Sequence, residues 1–289
     1  MDTFDRSYTP NHDDHMLRYS YSNQVTIIWW NLVRFGEAIG ELMGAGAKVD
    51  DETFDSEGVK EGQEEDIVSR AKKLIMQTGE EYKATALAEY QRLMTARLGL
   101  REAQKSDYDE LISTIFTIME TLELDFSHFF RRLSGLKLED LSTPETRKEK
   151  ASVFFHQEGP PKTVTENEAR DQLATWLGKW RSRIIADWQD GEGSVSSARD
   201  QERIQAMKQV NPNFVPRGWI LDEVIRRVEK DGERDVLDRV MHMALNPFEE
   251  AWDGKSFDGA TWKGDAEEEQ RWVGEVPRTE RALQCSCSS

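Results

Sequence analysis

Long apolar runs and basic charge are both scarce in this 289-residue sequence. No stretch of about 18 apolar residues offers a membrane span. The 38 Lys and Arg residues stand against 55 Asp and Glu, for a formal net charge of −17. Nucleic acids and anionic membranes bind basic surfaces, so neither is expected as a partner. The acidic first residues indicate neither a secretory signal nor an Arg-rich transit peptide, so we expect an intracellular soluble protein.

Cysteine is nearly absent, and the two that occur, Cys285 and Cys287, lie one residue apart at the C-terminal end. Such a pair does not form the disulfide framework of a secreted protein. Because serines flank both, burial in an apolar core is not expected, and thiol redox chemistry is their candidate role. A disulfide between them would close a small, strained ring and would therefore be oxidising. The alternative is two exposed thiols without a role.

Motifs for nucleotide binding and nucleophilic catalysis are also missing. The sequence has no Gly-x-Gly-x-x-Gly, no Walker lysine loop and no Gly-x-Ser-x-Gly. Gly44-Ala45-Gly46 precedes an acidic run that would repel a phosphate. Asn11-His12-Asp13-Asp14-His15 has the residue types of a metal site, but neighbouring ligands on one short loop cannot all reach the same ion. The alternative is a polar loop whose aspartate caps a turn.

Helical periodicity dominates the rest of the chain. Apolar residues at three- and four-residue steps predict a helical domain over 24–48 and 67–245. Residues 1–23 show no period and indicate a loop, 49–66 indicate a flexible acidic insert, and 246–289 indicate an irregular tail. No segment alternates between apolar and polar residues, so no strand is predicted and the fold class is all-α. On the first helix, one apolar face is expected, made by Ile28, Leu32, Phe35, Ile39 and Met43.

A predicted helix that begins near residue 165 carries a broad tryptophan stripe. Thr165 and Glu168 form a capping box at its start. Trp176, Trp180 and Trp188 follow at helical spacing, which favours core packing over a ligand platform. The basic residues of this helix, Lys179, Arg181 and Arg183, are expected on its outer face as solvated charges or partners of carboxylates.

Four segments together resemble the selenoprotein O (SelO) family. They are Met1-Asp2 with 8–14, 18–24 and Trp30-Asn31-Leu32; Asp125-Phe126 with Phe129-Phe130-Arg131-Arg132-Leu133; Asn211-Pro212-Asn213-Phe214-Val215-Pro216-Arg217 with Asn246-Pro247-Phe248; and Cys285-Ser286-Cys287-Ser288-Ser289. Cys287 resembles the selenocysteine position of family members that contain one. Leu17 stands where the family usually has glycine.

The resemblance implies a protein-kinase-like fold, of which this chain would be the helical C-lobe and the family-specific helices after it. It also implies AMP transfer from ATP to protein hydroxyl groups, with ATP and Mg²⁺ as cofactors and proteins as substrates. Eukaryotic members are mitochondrial. The family's metal-binding aspartate lies in a stretch just before the residues that Met1-Asp2 resemble, so no catalytic, cofactor-binding or metal residue is carried over to this chain.

The chain is therefore expected to be a C-terminal portion that is inactive alone. Loss of the preceding half would leave an apolar face uncovered, which predicts self-association. Two alternatives stay open at this point. One is a helical interaction module that binds a basic partner through 49–66, and the other is a redox protein acting through Cys285 and Cys287.

Overall fold

The computed structural model describes residues 2–191, 193–276 and 278, and these residues are mostly helical, as predicted. The α-helices in chain order are α1 Gln24–Ala38, α2 Gly40–Ala45, α3 Glu52–Glu57, α4 Glu64–Arg97, α5 Thr114–Thr121, α6 Phe126–Gly135, α7 Pro144–Lys150, α8 Glu166–Trp188, α9 Ser197–Lys208, α10 Gly218–Arg226, α11 Asp235–Leu245 and α12 Ala266–Trp272. Two strands, β1 Ser256–Phe257 and β2 Ala260–Thr261, precede α12. No helix in the described ranges is long and apolar enough to cross a membrane.

The chain divides into two compact units, and the boundary falls inside the range predicted as one helical domain. The N-terminal unit is Ser7–Gln91, with α1, α2, α3 and most of α4. The core unit joins the residues up to Arg6 to those from Arg92 onward. The segment 49–66, predicted to be a flexible insert, contains α3 and the first residues of α4.

Glycine sets the packing of the N-terminal unit. A Cβ built on Gly36 would lie 3.0 Å from Ile75, and one on Gly44 would lie 2.2 Å from the carbonyl oxygen of Ile67. Gly40 lies midway between them, and a Cβ built on it would lie 3.9 Å from Ala71. Because Gly36, Gly40 and Gly44 recur at four-residue steps, they form the face on which α1 and α2 approach α4. The prediction that the large apolar residues of α1 form its packed face is therefore wrong. Ile28, Leu32 and Phe35 are 46%, 40% and 62% exposed.

The tryptophan stripe of helix α8 packs into the core of the core unit, as predicted. Trp176, Trp180 and Trp188 are buried, and each indole N–H donates to a backbone carbonyl, those of Leu111, Leu98 and Gly99 respectively. Buried indoles that are hydrogen-bonded in this way act as core residues, not as a ligand platform. The Thr165–Glu168 capping box is also present.

Two basic residues on the outer face of α8 form ion pairs or hydrogen bonds with other parts of the core unit. Arg183 binds Asp107 and Asp187, and Arg181 donates to the carbonyl of Leu138 at 3.0 Å, whereas Lys179 is exposed. The prediction that these residues serve as partners of carboxylates is thus confirmed for Arg183.

The tail from 246 onward is more ordered than predicted. Trp252 and Trp272 are 1% exposed and pack with Phe214 and with apolar residues of α10 and α11. Asp265 caps α12, and an Asp258-Gly259 turn with positive φ at both residues joins β1 to β2. This is the turn chemistry that suits a two-residue hairpin. The expectation of no strand and an irregular tail is therefore wrong for this part, because elements this short carry no periodic signal.

Arginine–carboxylate pairs hold α12 against the preceding helices. Glu268 is 7% exposed and pairs with Arg227 and Arg239, each at 2.6 Å. Glu233 binds the same two arginines, and Arg271 of α12 pairs with Glu223 of α10. A buried carboxylate is retained because opposite charges compensate for its lost hydration.

Candidate functional site

Three of the four segments that carry the family resemblance converge in the core unit, beside the start of α6. We name the group Asp2, Asp125, His128, His156, Arg217 and Glu275 the Arg217 cluster. It surrounds a cavity of about 10 Å³, close to the smallest space that holds one water molecule. The convergence brings together residues from both ends of the described chain.

Arg217 is the central cation of this cluster. It donates to both carboxylate oxygens of Asp125, and its Nη1 lies 3.6 Å from Asp2. The side chains of Arg217 and Asp2 are each 8% exposed. Paired charges of this kind, removed from water, form a strongly directional contact.

Asp125 also begins α6. Its carboxylate accepts the backbone N–H of His128 at 2.8 Å, which is N-terminal capping. Burial acts to raise the pKa of Asp125, but His128 and Arg217 outweigh it, and the net pKa lies below the usual value. Burial is the main cause that holds the pKa of His128 itself below its usual value. His128 and the guanidinium of Arg217 therefore act together to keep Asp125 ionised.

Glu275 fastens the end of the described chain to the same cluster. Its carboxylate accepts the backbone N–H of Gln157 at 2.6 Å and pairs with Arg132 at 2.6 Å. The ring of His156 lies 3.0 Å from the carbonyl oxygen of Val276. The segment at 275–276 is therefore fixed to α6 and to the chain near 156.

A second junction connects α6 to the other parts of the third segment. Asn211 is fully buried, and its amide donates to the carbonyl of Arg97 at 2.9 Å and to Ser134 Oγ at 3.0 Å. Arg131 donates to the carbonyls of Asn211 at 3.0 Å and Phe248 at 3.2 Å. The 211–217 and 246–248 segments thus meet at α6 through backbone groups that would otherwise be buried without partners.

The charged groups of the Arg217 cluster bind one another and so hold the surrounding segments in place. Asp2 and Asp125 share one guanidinium, and Glu275 is occupied by Arg132 and Gln157. Within the part of the chain that the structure describes, no group of three or more His, Cys, Asp or Glu side chains is arranged to hold a metal ion. The Arg217 cluster therefore holds remote segments of the chain together.

The His- and Asp-rich loop in the N-terminal unit matches the polar-loop alternative. The Asp14 carboxylate accepts the backbone N–H groups of Arg18 at 2.9 Å and Tyr19 at 2.8 Å. The Tyr19 hydrogen bond is the main cause that holds the pKa of Asp14 below its usual value. His12 contacts its neighbour Asp13 at 3.0 Å. Asp14 therefore caps a turn, as the polar-loop interpretation of this segment expects.

The two cysteines, Cys285 and Cys287, lie outside the described residues, so their redox role stays a prediction. Glu275 was missed by the sequence analysis because it lies in the segment predicted to be irregular. Asp2, Asp125 and Arg217 were identified as parts of family-like segments, but the sequence offered no sign that they contact one another.

Comparisons with known proteins support the family resemblance that these segments carry. The family model described as protein adenylyltransferase SelO matches residues 1–245. The mitochondrial protein adenylyltransferase SelO of Schizosaccharomyces pombe is 31% identical over 295 residues, covering 100% of this chain and 47% of the relative. The mitochondrial SelO of Saccharomyces cerevisiae is 26% identical over 340 residues, covering 100% and 48%.

A bacterial relative, the protein nucleotidyltransferase YdiU of Ralstonia nicotianae, is 26% identical over 291 residues, covering 100% of this chain and 46% of its own length. The chain thus spans about half the length of these curated relatives. Since the family model covers most of the sequence, the chain belongs to the SelO protein adenylyltransferase family.

Proposed function

We propose that this chain is the helical, kinase C-lobe-like part of a protein adenylyltransferase that transfers AMP from ATP to Ser, Thr or Tyr hydroxyls of proteins. The family match over residues 1–245 carries this proposal, and the names of the relatives support it. Two of the relatives are named mitochondrial, which supports a mitochondrial location for the complete protein.

The role of the chain in that reaction is positional. By the family resemblance, the ATP- and Mg²⁺-binding residues belong to the part that the chain does not match, and the metal-binding stretch immediately precedes the residues that Met1-Asp2 resemble. AMP transfer needs phosphates and metal held in a fixed geometry. Residues that fix the end of this stretch therefore support catalysis without touching the nucleotide.

Asp2 and Phe4 supply this fixation. Asp2 lies against Arg217 in the Arg217 cluster. Phe4 is 2% exposed, its N–H donates to the carbonyl of Leu124 at 2.8 Å, and its ring lies 4.8 Å from that of Phe116. Both an ion pair and an aromatic contact thus hold the first described residues to the core unit.

The test is AMP transfer from labelled ATP, with Mg²⁺ or Mn²⁺, to a generic protein acceptor. These 289 residues are assayed alone and joined to the portion of the Schizosaccharomyces pombe relative that precedes its matched region. We expect no labelling by the chain alone and labelling by the joined protein. Labelling by the chain alone, at the level of the joined protein, would contradict the proposal that the nucleotide site lies elsewhere.

We infer in addition that the exposed side of α1 is a contact surface in the complete protein. Val25, Ile28, Leu32 and Phe35 follow one another at three- and four-residue steps on this side and are 40–62% exposed. An apolar stripe of this kind on a water-soluble unit marks an interaction surface. The chain accounts for about half the length of its relatives, and their remaining half is the occupant that we assign to this stripe. Without that half, the chain self-associates through the stripe.

A further inference from the structure

The N-terminal unit contains a groove between the end of α2 and the middle of α4. Its volume is about 550 Å³, within the range of roughly 300–1,000 Å³ that small-molecule sites occupy. All the residues that line it belong to Ser7–Gln91. The charge and the apolar surface of its lining indicate which class of ligand would fit.

Three cations line the groove: Lys48, Arg70 and Lys73. Among the described residues that form its walls, none carries a carboxylate, although the chain has 55 acidic residues. None of the three cations makes a hydrogen bond or an ion pair within the described part of the chain. Arg227 and Arg239, by contrast, are each occupied by two or more carboxylates. The groove cations are therefore available to an anion from solution.

The floor of the groove is apolar and held in place by helix packing. Met43, Ala45 and Leu74 contribute carbon surface. Gly44 brings α2 close to the backbone of Ile67 in α4, and Gly46, with a φ of +58°, turns the chain away from the end of α2. A left-handed residue at this point suits glycine. The groove thus combines a fixed apolar floor with a cationic rim.

We propose that this groove binds a small phosphate ester with an apolar body. An arginine and two lysines match the double negative charge and the several acceptor oxygens of a phosphate monoester, and the apolar floor matches its organic part. The acidic run after Gly46 led to the opposite expectation from sequence, because Arg70 and Lys73 come from α4 and are remote in the chain.

Hexyl phosphate is a suitable probe, because it combines both features and dissolves as a monomer at moderate concentration. Binding is measured by isothermal titration calorimetry of the 289-residue chain, with inorganic phosphate and hexanol as partial probes. We expect hexyl phosphate to bind at least about tenfold more tightly than either, since neither partial probe makes both contacts. Vesicles of phosphatidylcholine with phosphatidic acid distinguish a soluble ester from a bilayer headgroup, and we expect binding to the soluble ester only.

Two charge-reversal variants distinguish binding in the groove from attraction by the overall charge of the protein. Lys73→Glu removes a cation that lines the groove, whereas Lys72→Glu makes the same charge change at an exposed neighbour that does not line it. We expect Lys73→Glu to weaken hexyl phosphate binding at least about tenfold and Lys72→Glu to weaken it less than about twofold. Equal effects of the two variants, no measurable binding of hexyl phosphate, or equal affinity for inorganic phosphate would each overturn the proposal.

Discussion

Arg217 and Asp125 are 92 positions apart in the chain, yet the guanidinium of one binds both carboxylate oxygens of the other, with Nη2 to Oδ1 at 3.0 Å. Asp125 also caps α6, and Asp2 contacts the same guanidinium. One side chain therefore connects the beginning of the core unit, the start of α6 and the segment before α10. Its removal should disturb all three together.

Arg217→Met is expected to destabilise the core unit by roughly 3–5 kcal/mol, because it leaves two buried carboxylates without their cation. The free energy of unfolding in urea, followed by circular dichroism, measures the effect. Arg226→Met is the matched control, since Arg226 pairs with Asp231 at 3.7 Å and both side chains are 55% exposed. That variant should change the free energy by less than about 1 kcal/mol. Equal losses in the two variants would contradict the role assigned to Arg217.

Acid should weaken the ion pairs by which Glu233 connects Arg227 to Arg239 of α11. Hydrogen bonds from Arg227 and then Arg239 lower the pKa of Glu233 from 4.5 to about 2. Since the folded-state pKa is depressed, the contribution of Glu233 to stability is complete above pH 4.5 and is lost as the pH falls towards 2.

The check is urea unfolding of the wild type and of Glu233→Gln between pH 7 and pH 2.5. The variant should be less stable at pH 7, and the difference should shrink as the pH falls below 4.5. Glu229→Gln serves as control, because Glu229 is exposed and makes no ion pair within the described residues. A difference between wild type and Glu233→Gln that does not depend on pH would argue against this pKa.

The parts of the fold that local sequence specifies were predicted well. The Thr165–Glu168 capping box and the tryptophan stripe of α8 depend on residues three or four positions apart, and both are present. Burial of Glu268 depends instead on Arg227 and Arg239, which lie 41 and 29 positions away. No local pattern records such a pair, so the sequence predicts an irregular tail where α12 lies.

The packed face of α1 was mispredicted for a different reason. Large apolar side chains usually mark the buried face of a helix. Here glycine marks it, because close approach of two helix backbones requires the smallest residue. Contacts between remote residues of the candidate site could not be predicted either. The sequence identified the segments that contain Asp2, Asp125 and Arg217, but only the tertiary structure shows that these residues meet.

Alanine substitutions in the glycine face test this packing. Gly44→Ala places a Cβ 2.2 Å from the carbonyl oxygen of Ile67, which is backbone and cannot move aside alone. We expect a loss of roughly 1–3 kcal/mol in the free energy of unfolding. Gly40→Ala is the control, since its Cβ would lie 3.9 Å from Ala71. It should be neutral or stabilising by up to about 1 kcal/mol, because alanine favours the helix. Urea unfolding of both variants distinguishes the two effects.

Leu17 carries backbone strain at a position where the family usually has glycine. Its φ is +52°, in the left-handed region that costs a non-glycine residue roughly 1–2 kcal/mol. Leu17→Gly should therefore raise the thermal midpoint of the N-terminal unit. Leu17→Ala also removes the side chain but keeps the strain, so it should give no such rise. A similar midpoint for both variants would show that the φ angle has no effect on stability here.

The exposed stripe on α1 gives a prediction about assembly. If the stripe drives self-association, Phe35→Asp should shift the chain to monomer, because it places a charge in the apolar contact. Light scattering after size-exclusion chromatography, over a range of protein concentrations, measures the mass. Met76→Asp is the matched control, since Met76 lies on α4, outside the stripe, and is 73% exposed. That variant should associate like the wild type. A wild-type chain that stays monomeric at every concentration, with a sharp thermal transition independent of concentration, would rule out the stripe as an uncovered contact surface.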